Sequence, residues 1–374
     1  MMDAGEYFLE GNIACAEAAM KAGCEFYAGY PITPASEVMN HLSKELPKVG
    51  GRFVQMEDEI ASIASVIGSS WAGLKSMTAT SGPGFSLMQE NLGYAVMTET
   101  PCVVVNVQRA GPSTGQATKP GTGDVMQSRF GSQGDYEIIA LSPNSVQEMF
   151  DLTVRAFNLS ERYRVPAVLL ADAGVGHMRE KVKIPEEVEV EGRKRPEKGE
   201  EEFFDTDEED HIPPMPDFGE GHELLVTGST HLGDGTRDTA SFSAQDRLVR
   251  RLVAKIEDNR GDIEEWEEQN VEDAELVVVS YGSISRPARG AVKKAREEGH
   301  DVGFFRPKTM WPSPEKRLKE IAEDSKVMLV ELSLRGYRME VERCVGSDDF
   351  YVYDRLNSLP TVDMVHRKIE EVMR

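Results

Sequence analysis

A short turn near the N-terminus places one hydroxyl between two prolines. The stretch Tyr30-Pro31-Ile32-Thr33-Pro34 follows the apolar run Cys24–Tyr27. Each proline fixes φ at about −65° and disfavours helix in the residue before it, so the turn loses little further entropy when a ligand docks. The stretch therefore predicts a rigid strand-to-helix turn that presents Thr33 to a cleft. A structural alternative, compatible with the first, is that Thr33 caps a helix beginning at Pro34, with Glu37 completing the cap.

Three consecutive acids and a later arginine are the charged residues of this half of the chain that we consider as functional candidates. Glu57, Asp58 and Glu59 precede a helical pattern, where first-turn acids interact favourably with the helix dipole. Arg109 leaves the candidate strand Cys102–Val107 beside a glycine-rich turn that allows close backbone approach. A guanidinium there can hold a carboxylate through paired hydrogen bonds, although an arginine at a strand end is more often a surface ion pair.

The strands and helices that must position these side chains are predicted from apolar runs alternating with helical patterns. The candidate strands are Cys24–Tyr27, Arg52–Gln55, Lys75–Thr80, Cys102–Val107, Glu137–Leu141 and Val165–Leu170. The candidate helices between them are Asn12–Lys21, Ile60–Trp71, Phe85–Met97 and Ser145–Glu161. Strands that are continuously apolar and alternate with helices predict an α/β domain on a parallel sheet with helices on both faces. Ligands of such sheets bind at the carboxyl ends of the strands.

The pattern breaks after the first domain, which we place at residues 1–183. Eight of the eleven residues from 200 to 210 are acidic, and three prolines follow. We interpret residues 184–272 as an acidic, proline-containing linker or arm of the kind that usually stays solvated and mobile, with one amphipathic helix at 243–260. Alternation resumes in residues 273–374 and predicts a second, smaller α/β domain.

Composition limits the class of function. The net charge of −23 argues against nucleic acid and anionic membrane surfaces as partners. No apolar run approaches membrane-spanning length and the start Met1-Met2-Asp3 lacks a signal peptide's basic region, so we expect a cytoplasmic protein. Cys15, Cys24, Cys102 and Cys344 show no CxxC spacing and are expected to be buried reduced thiols. The histidines show no metal-ligand spacing, and we assign no metal to this chain.

Four motifs occur together in this half of the chain. They are Tyr30–Pro34, Gln55–Ala61, Thr80–Gly84 and Gln108–Gly115. In order and spacing they resemble the signature of the 2-oxoacid:ferredoxin oxidoreductases, and residues 7–183 look closest to the alpha subunit of the 2-oxoglutarate enzymes. The resemblance implies a thiamine-diphosphate-binding fold, with a pyrimidine domain at 1–183 and a transketolase C-terminal-like domain at 273–374.

The resemblance also implies residue roles. Glu59 would be the catalytic carboxylate that donates a proton to the aminopyrimidine of thiamine diphosphate, with Glu57 as its rival, because desolvation raises the pKa of a carboxyl in a dry pocket and keeps its proton available. Arg109 would hold the substrate carboxylate, and Thr33 would donate the partnering hydrogen bond. The glycine-rich turn Ser81-Gly82-Pro83-Gly84, between a candidate strand and a candidate helix, suggests phosphate binding at first sight. The resemblance instead makes it a packing and cofactor-contact loop. The cofactor-binding residues implied are Tyr30, Pro31, Ile32, Glu59, Gly82 and Pro83.

The implied activity is the oxidative decarboxylation of 2-oxoglutarate with coenzyme A and ferredoxin to succinyl-CoA. Thiamine diphosphate would be shared with a beta subunit that carries its diphosphate, Mg²⁺ and a [4Fe-4S] cluster, with gamma and delta subunits as optional further partners. Because an acidic chain repels an acidic ferredoxin, electrons should leave through another subunit. Two alternatives stay open: 2-oxoisovalerate or another 2-oxoacid as the substrate, and a noncatalytic scaffold subunit.

Two local features need separate treatment. Gly233-Asp234-Gly235, with Asn259 further on, imitates the diphosphate and Mg²⁺ motif of thiamine enzymes. No apolar strand leads into Gly233, so we interpret this sequence as a turn of the linker. In the second domain, many members of the family carry an Asn and a Gly-Gln pair where this chain has Ser333 and Gly336-Tyr337, so a local contact is expected to differ there.

Overall fold

A computed structural model describes all residues from 1 to 374. The strands are β1 (Gly5–Glu10), β2 (Phe26–Gly29), β3 (Arg52–Gln55), β4 (Ser76–Thr80), β5 (Cys102–Ala110), β6 (Gln116–Pro120), β7 (Ile139–Leu141), β8 (Pro166–Asp172), β9 (Arg179–Ile184), β10 (Trp266–Gln269), β11 (Leu276–Ser280), β12 (Val302–Pro307), β13 (Thr309–Trp311), β14 (Lys326–Glu331) and β15 (Phe350–Asp354). The helices are α1 (Gly11–Lys21), α2 (Ser36–Glu45), α3 (Glu59–Trp71), α4 (Gly82–Met97), α5 (Val125–Phe130), α6 (Val146–Tyr163), α7 (Ala173–His177), α8 (Phe242–Glu257), α9 (Arg260–Ile263), α10 (Ser285–Glu297), α11 (Glu315–Asp324), α12 (Arg338–Val345) and α13 (Val362–Met373). None of them combines the length and the apolar character that crossing a bilayer requires.

The first sheet has eight strands in the order β13-β7-β8-β5-β4-β2-β3, with β6 paired to β5. The pairs among β2, β3, β4, β5, β7 and β8 are parallel. Helix α1 packs against α6, and α3 packs against α4. Strands β4 and β8 are buried at every residue, as continuous apolar strands of a covered parallel sheet must be. The predicted α/β fold on a parallel sheet is confirmed.

Strand β5 is longer than its apolar run indicates. The expected strand ended at Val107, but β5 continues to Ala110 because Arg109 and Ala110 pair antiparallel with Pro120 and Gln116 of β6. The expectation that Arg109 lies beyond the strand is therefore wrong. Its backbone belongs to the sheet, which gives the side chain a fixed origin.

The second sheet has the order β10-β12-β11-β14-β15 and is parallel except for β10. It confirms the second α/β domain. One strand of this part of the chain leaves it: β13 pairs antiparallel with β7 and so joins the first sheet. A three-residue strand is too short for sequence periodicity to reveal, and its position joins the two sheets at one seam.

The acidic segment between the domains is packed rather than free. Phe203, Phe204, Ile212 and Met215 are buried in the same hydrophobic core as the first sheet. The amphipathic helix expected at 243–260 is present as α8. The expectation of a fully solvated arm is wrong for these apolar residues, which anchor the stretch, whereas acids beside them such as Glu201, Glu202 and Asp207 are exposed as expected. The mobility of the arm stays a prediction.

Buried ion pairs strengthen this attachment. The Glu99 carboxylate is fully buried and accepts hydrogen bonds from Arg251 at 2.9 Å and from Lys255 at 2.6 Å, both on α8. Burial alone would raise the pKa of Glu99, but the charges of Arg251 and Lys255, with Arg164, hold the pKa well below its ordinary value. Arg164 donates to the backbone carbonyl of Phe203 at 2.7 Å. The arm therefore supplies the cations, Arg251 and Lys255, that pair with the buried Glu99 carboxylate of the first domain. Without them this buried charge would be uncompensated.

Candidate active site

Four loops meet at the carboxyl edge of the first sheet. Gly29 at the end of β2 pairs with Gln55 at the end of β3, and Thr80 at the end of β4 pairs with Asn106 of β5. The four family-like motifs follow or include these strand ends. The parallel sheet thus brings together residues that are far apart in the sequence, as the rule for open α/β sheets predicts.

The three consecutive acids occupy three different environments. Asp58 is the N-cap of α3 and accepts a hydrogen bond from the Ala61 backbone N–H at 2.7 Å. Glu57 is exposed, whereas Glu59, the first helical residue, is 5% exposed. Only Asp58 fits the purely structural interpretation as a capping acid. Glu59 is a buried carboxyl without an ion-pair partner.

A glycine leaves the space that the Glu59 carboxyl occupies. A Cβ on Gly84, in the first turn of α4, would lie 2.3 Å from Glu59 Oε1 and 2.2 Å from Thr80 Oγ1. Both contacts are too close for any side chain. Thr80 Oγ1 is itself buried without a hydrogen-bond partner. The result is a buried polar cradle around one carboxyl group, in which the Thr80 hydroxyl is left without a partner.

The electrostatics of the cradle raise the pKa of the Glu59 carboxyl. Burial raises the pKa of the Glu59 carboxyl above its ordinary value, and the negative charge of Asp58 adds to this shift. The backbone N–H of Glu59 and the charge of Arg109 oppose it. Burial dominates, so the group can hold a proton in a dry pocket and release it to a base placed there.

Arg109 lies beside the turn that carries Thr33. Its Nη1 donates to the Thr33 backbone carbonyl at 2.7 Å, and its Nε is buried without a partner. The Thr33 side chain is exposed, and α2 begins at Ser36 with Ala35 as its N-cap. The interpretation of Thr33 as a helix cap is wrong, because the helix begins at Ser36, two residues after Pro34, and its N-cap is Ala35.

The other cofactor-binding candidates surround this point. Gly82 opens α4 with φ +34°, a value that disfavours other residues, and its missing Cβ would lie 3.8 Å from Arg109 Nε. Pro83 follows in the first turn of α4. Tyr30 and Pro31 form the exposed side of the neighbouring turn, where Tyr30 is 39% exposed, and Ile32 is partly buried against the core.

A second group of polar residues, which the sequence did not identify, lies close enough to Arg109 for its charge to act on one of them. Asp124 accepts a hydrogen bond from Asn106 Nδ2 at 3.0 Å, and its backbone N–H donates to Gln108 Oε1 at 3.0 Å. Burial raises the pKa of Asp124, although Asn106 and Arg109 counteract this. Asn106 and Gln108 lie within an otherwise apolar strand, and such buried amides were the available signal.

The Gly-Asp-Gly sequence has a local explanation. The Asp234 carboxylate accepts hydrogen bonds from the Thr236 backbone N–H and hydroxyl, each at 2.8 Å. Gly235 adopts φ +85°, which the turn requires. These residues form the turn predicted for the linker, and no buried strand precedes them.

Arg109 opens into a cleft of about 790 Å³ between the two sheets. Gly82, Arg109 and Asp124 line one side, and the second domain provides Ser333 and Arg335 on the other. Ser333 and Tyr337 are the positions where the chain departs from the family pattern of an Asn and a Gly-Gln pair. Ser333 lines the cleft, whereas Tyr337 is fully buried, so only the first departure falls at the cleft.

Comparison with known proteins places this geometry in a family. Residues 17–251 match the family described as pyruvate flavodoxin/ferredoxin oxidoreductase, thiamine diphosphate-binding. Residues 274–368 match core domain II of pyruvate:ferredoxin oxidoreductase. The first match covers both the candidate site and the arm.

Relatives and solved structures agree with these matches. The 2-oxoglutarate synthase subunit KorA of Methanocaldococcus jannaschii is 53% identical over 93% of this chain and 94% of its own. The ketoisovalerate oxidoreductase subunit VorB of Methanothermobacter thermautotrophicus is 40% identical over 97% of both. The structure of 2-oxoglutarate:ferredoxin oxidoreductase from Magnetococcus marinus, with 2-oxoglutarate, coenzyme A and succinyl-CoA bound, superposes with a TM-score of 0.94 at 34% identity over 99% of this chain and 65% of that one.

A more distant structure is similar in fold only. A split-gene transketolase matches 98% of this chain with a TM-score of 0.54 at 11% identity. The predicted family and the thiamine-diphosphate-binding fold are confirmed. The chain belongs to the 2-oxoacid:ferredoxin oxidoreductase family, as an alpha subunit.

Proposed function

We propose that this chain forms the pyrimidine side of the active site in an enzyme that oxidatively decarboxylates 2-oxoglutarate. The reaction consumes coenzyme A and two oxidised ferredoxins, and it yields succinyl-CoA, CO₂ and two reduced ferredoxins. The observation that carries the proposal is the buried, unpaired Glu59 carboxyl in its glycine cradle beside Arg109. Relatives that are 53% identical to this chain are named as 2-oxoglutarate synthase subunits, which supports 2-oxoglutarate as the substrate.

The residues of the cradle suit thiamine diphosphate. When bound, that cofactor supplies the carbon nucleophile that attacks the keto group and allows CO₂ to leave. Glu59 would exchange a proton with a ring nitrogen of the pyrimidine, a role that the burial-raised pKa of its carboxyl favours. The orphaned Thr80 hydroxyl is a further polar atom available to the ring. Tyr30, Pro31, Ile32, Gly82 and Pro83 would form the wall against which the ring packs.

Arg109 and Thr33 would hold the 2-oxoacid. Arg109 keeps its Nε free while Nη1 is fixed to the Thr33 carbonyl. A guanidinium held in this way can still present a planar pair of donors to the carboxylate next to the keto group. The exposed Thr33 hydroxyl lies on the same turn and would add one more hydrogen bond.

The remaining parts of the reaction belong to partner chains. The subunit names of the relatives indicate a multi-subunit enzyme. We place the diphosphate, Mg²⁺ and the [4Fe-4S] cluster on a beta subunit, with gamma and delta subunits as optional additions. The net charge of −23 repels an acidic ferredoxin, so electron exit falls to another chain. The four cysteines are buried and free, as predicted, which suits a reducing cytoplasm.

A second substrate has a specific observation in its favour. The VorB relatives, named ketoisovalerate oxidoreductase subunits, match 97% of this chain at 39–40% identity. A branched 2-oxoacid would use the same Glu59 and Arg109. Steady-state assays of the reconstituted complex with 2-oxoglutarate and 2-oxoisovalerate, coenzyme A and a one-electron acceptor decide between the two.

The experiment that tests the catalytic assignment is Glu59→Gln in the reconstituted complex, with Glu57→Gln as the matched control. Glu59→Gln should retain the cofactor but slow turnover by about two orders of magnitude or more, the usual worth of a general acid. Glu57 is exposed, so its amide variant should stay close to wild type. The reverse order would show that the assignment is displaced by two residues. Full activity of both variants would favour a scaffold role for this chain.

A further inference from the structure

The cleft at Arg109 is larger than one carboxylate requires. It encloses about 790 Å³ and extends from Arg109 and Gly82 to the loop Leu332–Arg335 of the second domain. Its far end is closed by a hydrogen bond of 2.7 Å from Asn357 Nδ2 to Gln116 Oε1, which joins the second domain to β6. A ligand held at Arg109 can therefore extend toward the second domain while remaining in the cleft.

The cleft is positively charged in a strongly acidic chain. Acidic residues outnumber basic ones by 65 to 42, yet the cleft is lined by two arginines, Arg109 and Arg335, and one acid, Asp124. Burial raises the pKa of Asp124, and its carboxylate already accepts from Asn106. The Arg335 guanidinium is exposed and makes no hydrogen bond or ion pair within the chain; its backbone N–H donates to Ser333 Oγ at 3.2 Å. The lining thus offers two cationic donors to a ligand with two negative groups.

The loop that carries Arg335 is held against the floor of the cleft at both ends. The Leu332 carbonyl accepts a hydrogen bond from the Thr122 backbone N–H at 3.1 Å. A Cβ on Gly336 would lie 2.3 Å from the Thr122 carbonyl, so glycine is needed for the loop to approach this closely. The position of Arg335 relative to the first domain is therefore set by backbone contacts.

We infer that Arg335 holds the distal carboxylate of a dicarboxylic 2-oxoacid whose other carboxylate is held by Arg109. The inference rests on the proposed function and adds to it the residue that separates dicarboxylic from monocarboxylic substrates. The 2-oxo carboxylate is common to all substrates of this reaction, so Arg109 cannot distinguish them. A second guanidinium on the other side of the same cleft can distinguish them, because only a dicarboxylic substrate has a second carboxylate to pair with that guanidinium.

The test is Arg335→Gln in the reconstituted complex, assayed with 2-oxoglutarate and with 2-oxopentanoate. The two substrates have the same number of carbons, and only the first has a distal carboxylate. Loss of the charged contact should raise KM for 2-oxoglutarate about tenfold or more and leave kcat nearly unchanged, since the contact lies away from the reacting carbon. KM for 2-oxopentanoate should not rise. Arg335→Lys should fall between the two, because it keeps the charge and loses the planar fork.

Arg338→Gln is the matched control, because Arg338 lies three residues further on, pairs with Glu342 at 3.6 Å and does not line the cleft. Equal KM changes for both 2-oxoacids, or none for either, would overturn the inference. A rise in KM for coenzyme A alone would also overturn it and make Arg335 a phosphate contact of the coenzyme. Absence of wild-type turnover with 2-oxoglutarate would instead refute the proposed function, and the Arg335 comparison would then lose its premise.

Discussion

The Glu59 carboxyl occupies the space that a Cβ on Gly84 would need. A methyl group at position 84 would be 2.3 Å from Glu59 Oε1. Thr80, on the other side of this space, belongs to the buried strand β4 and cannot move away. The glycine therefore fixes where the acid of the site sits, even though it contributes no functional group.

Replacing this glycine should disturb catalysis more than folding. Gly84→Ala should lower kcat of the complex by about tenfold to a hundredfold, because a displacement of the acid by about 1 Å is costly to proton transfer. Gly68→Ala is the matched control: Gly68 also lies within a helix, and nothing occupies the space of its Cβ. It should be active and slightly more stable. Steady-state kinetics of both variants provide the measurement, and wild-type turnover of Gly84→Ala would show that the contact does not position Glu59.

The carboxylate clamp gives a second prediction. Arg109→Lys should lower kcat/KM by about ten to a hundredfold for every accepted 2-oxoacid, because it keeps the charge but loses the paired donors and the bond to the Thr33 carbonyl. Thr33→Val should be milder, since the contact between the two residues uses a backbone atom that valine retains. KM for coenzyme A serves as the internal control. Unchanged kcat/KM in both variants would remove this chain from the substrate site.

Sequence patterns predicted the first domain well because its elements are regular. Strand β3 has the predicted bounds, and α6 differs from its prediction by one or two residues at each end. Continuous apolar strands and amphipathic helices can be recognised from the spacing of apolar residues within a short window of sequence. The strand β13 and the extension of β5 could not be predicted, because each depends on a partner strand that is distant in the sequence.

The candidate site was predicted in part. Short motifs predicted roles for Thr33, Glu59 and Arg109, and these roles stay a prediction. The burial of Glu59 beside an exposed Glu57 agrees with the motif's choice of Glu59, whereas Gly84 could be found only from three-dimensional contacts. The arm was misjudged because charge density describes its average composition, whereas Phe203 and Phe204 decide its packing. The domain boundaries at 183/184 and 272/273 stay a prediction.

The attachment of the arm can be tested with two adjacent arginines. Arg251→Gln removes a partner of the buried Glu99 and should destabilise the chain by about 3 kcal/mol, since part of a buried charge loses its compensation. Arg250 forms an exposed pair with Asp246, so Arg250→Gln should cause no measurable change. Urea unfolding gives the stability. Limited proteolysis should cut near Phe203 in Arg251→Gln and spare this stretch in the other two proteins; equal cutting in all three would mean that the ion pairs do not hold the arm.

The last prediction concerns a buried carboxyl below the loop of Arg335. Glu331 Oε2 accepts hydrogen bonds from the Tyr337 backbone N–H at 2.8 Å and from the Tyr281 hydroxyl at 2.9 Å, whereas Oε1 has no partner. Burial raises its pKa from 4.5 to about 7, against the opposing effect of the two hydrogen bonds from Tyr337 and Tyr281; the charge of Asp354 adds a smaller increase. The folded chain therefore keeps this proton over a range of pH in which the unfolded chain has lost it.

The sign of the pH effect follows from this difference. Between pH 4.5 and about 7 the folded state binds one more proton than the unfolded state, so the contribution of Glu331 to stability falls as pH rises, by at most about 3 kcal/mol in total. Glu331→Gln stays neutral throughout, so its unfolding free energy relative to wild type should improve from pH 5 to about pH 7 and level off between pH 7 and pH 8. Glu323→Gln, an exposed substitution on α11, should run parallel to wild type. Urea titrations at unit intervals of pH measure all three, and a Glu331→Gln curve that runs parallel to wild type would show that this carboxyl is already ionised in the folded chain at pH 5.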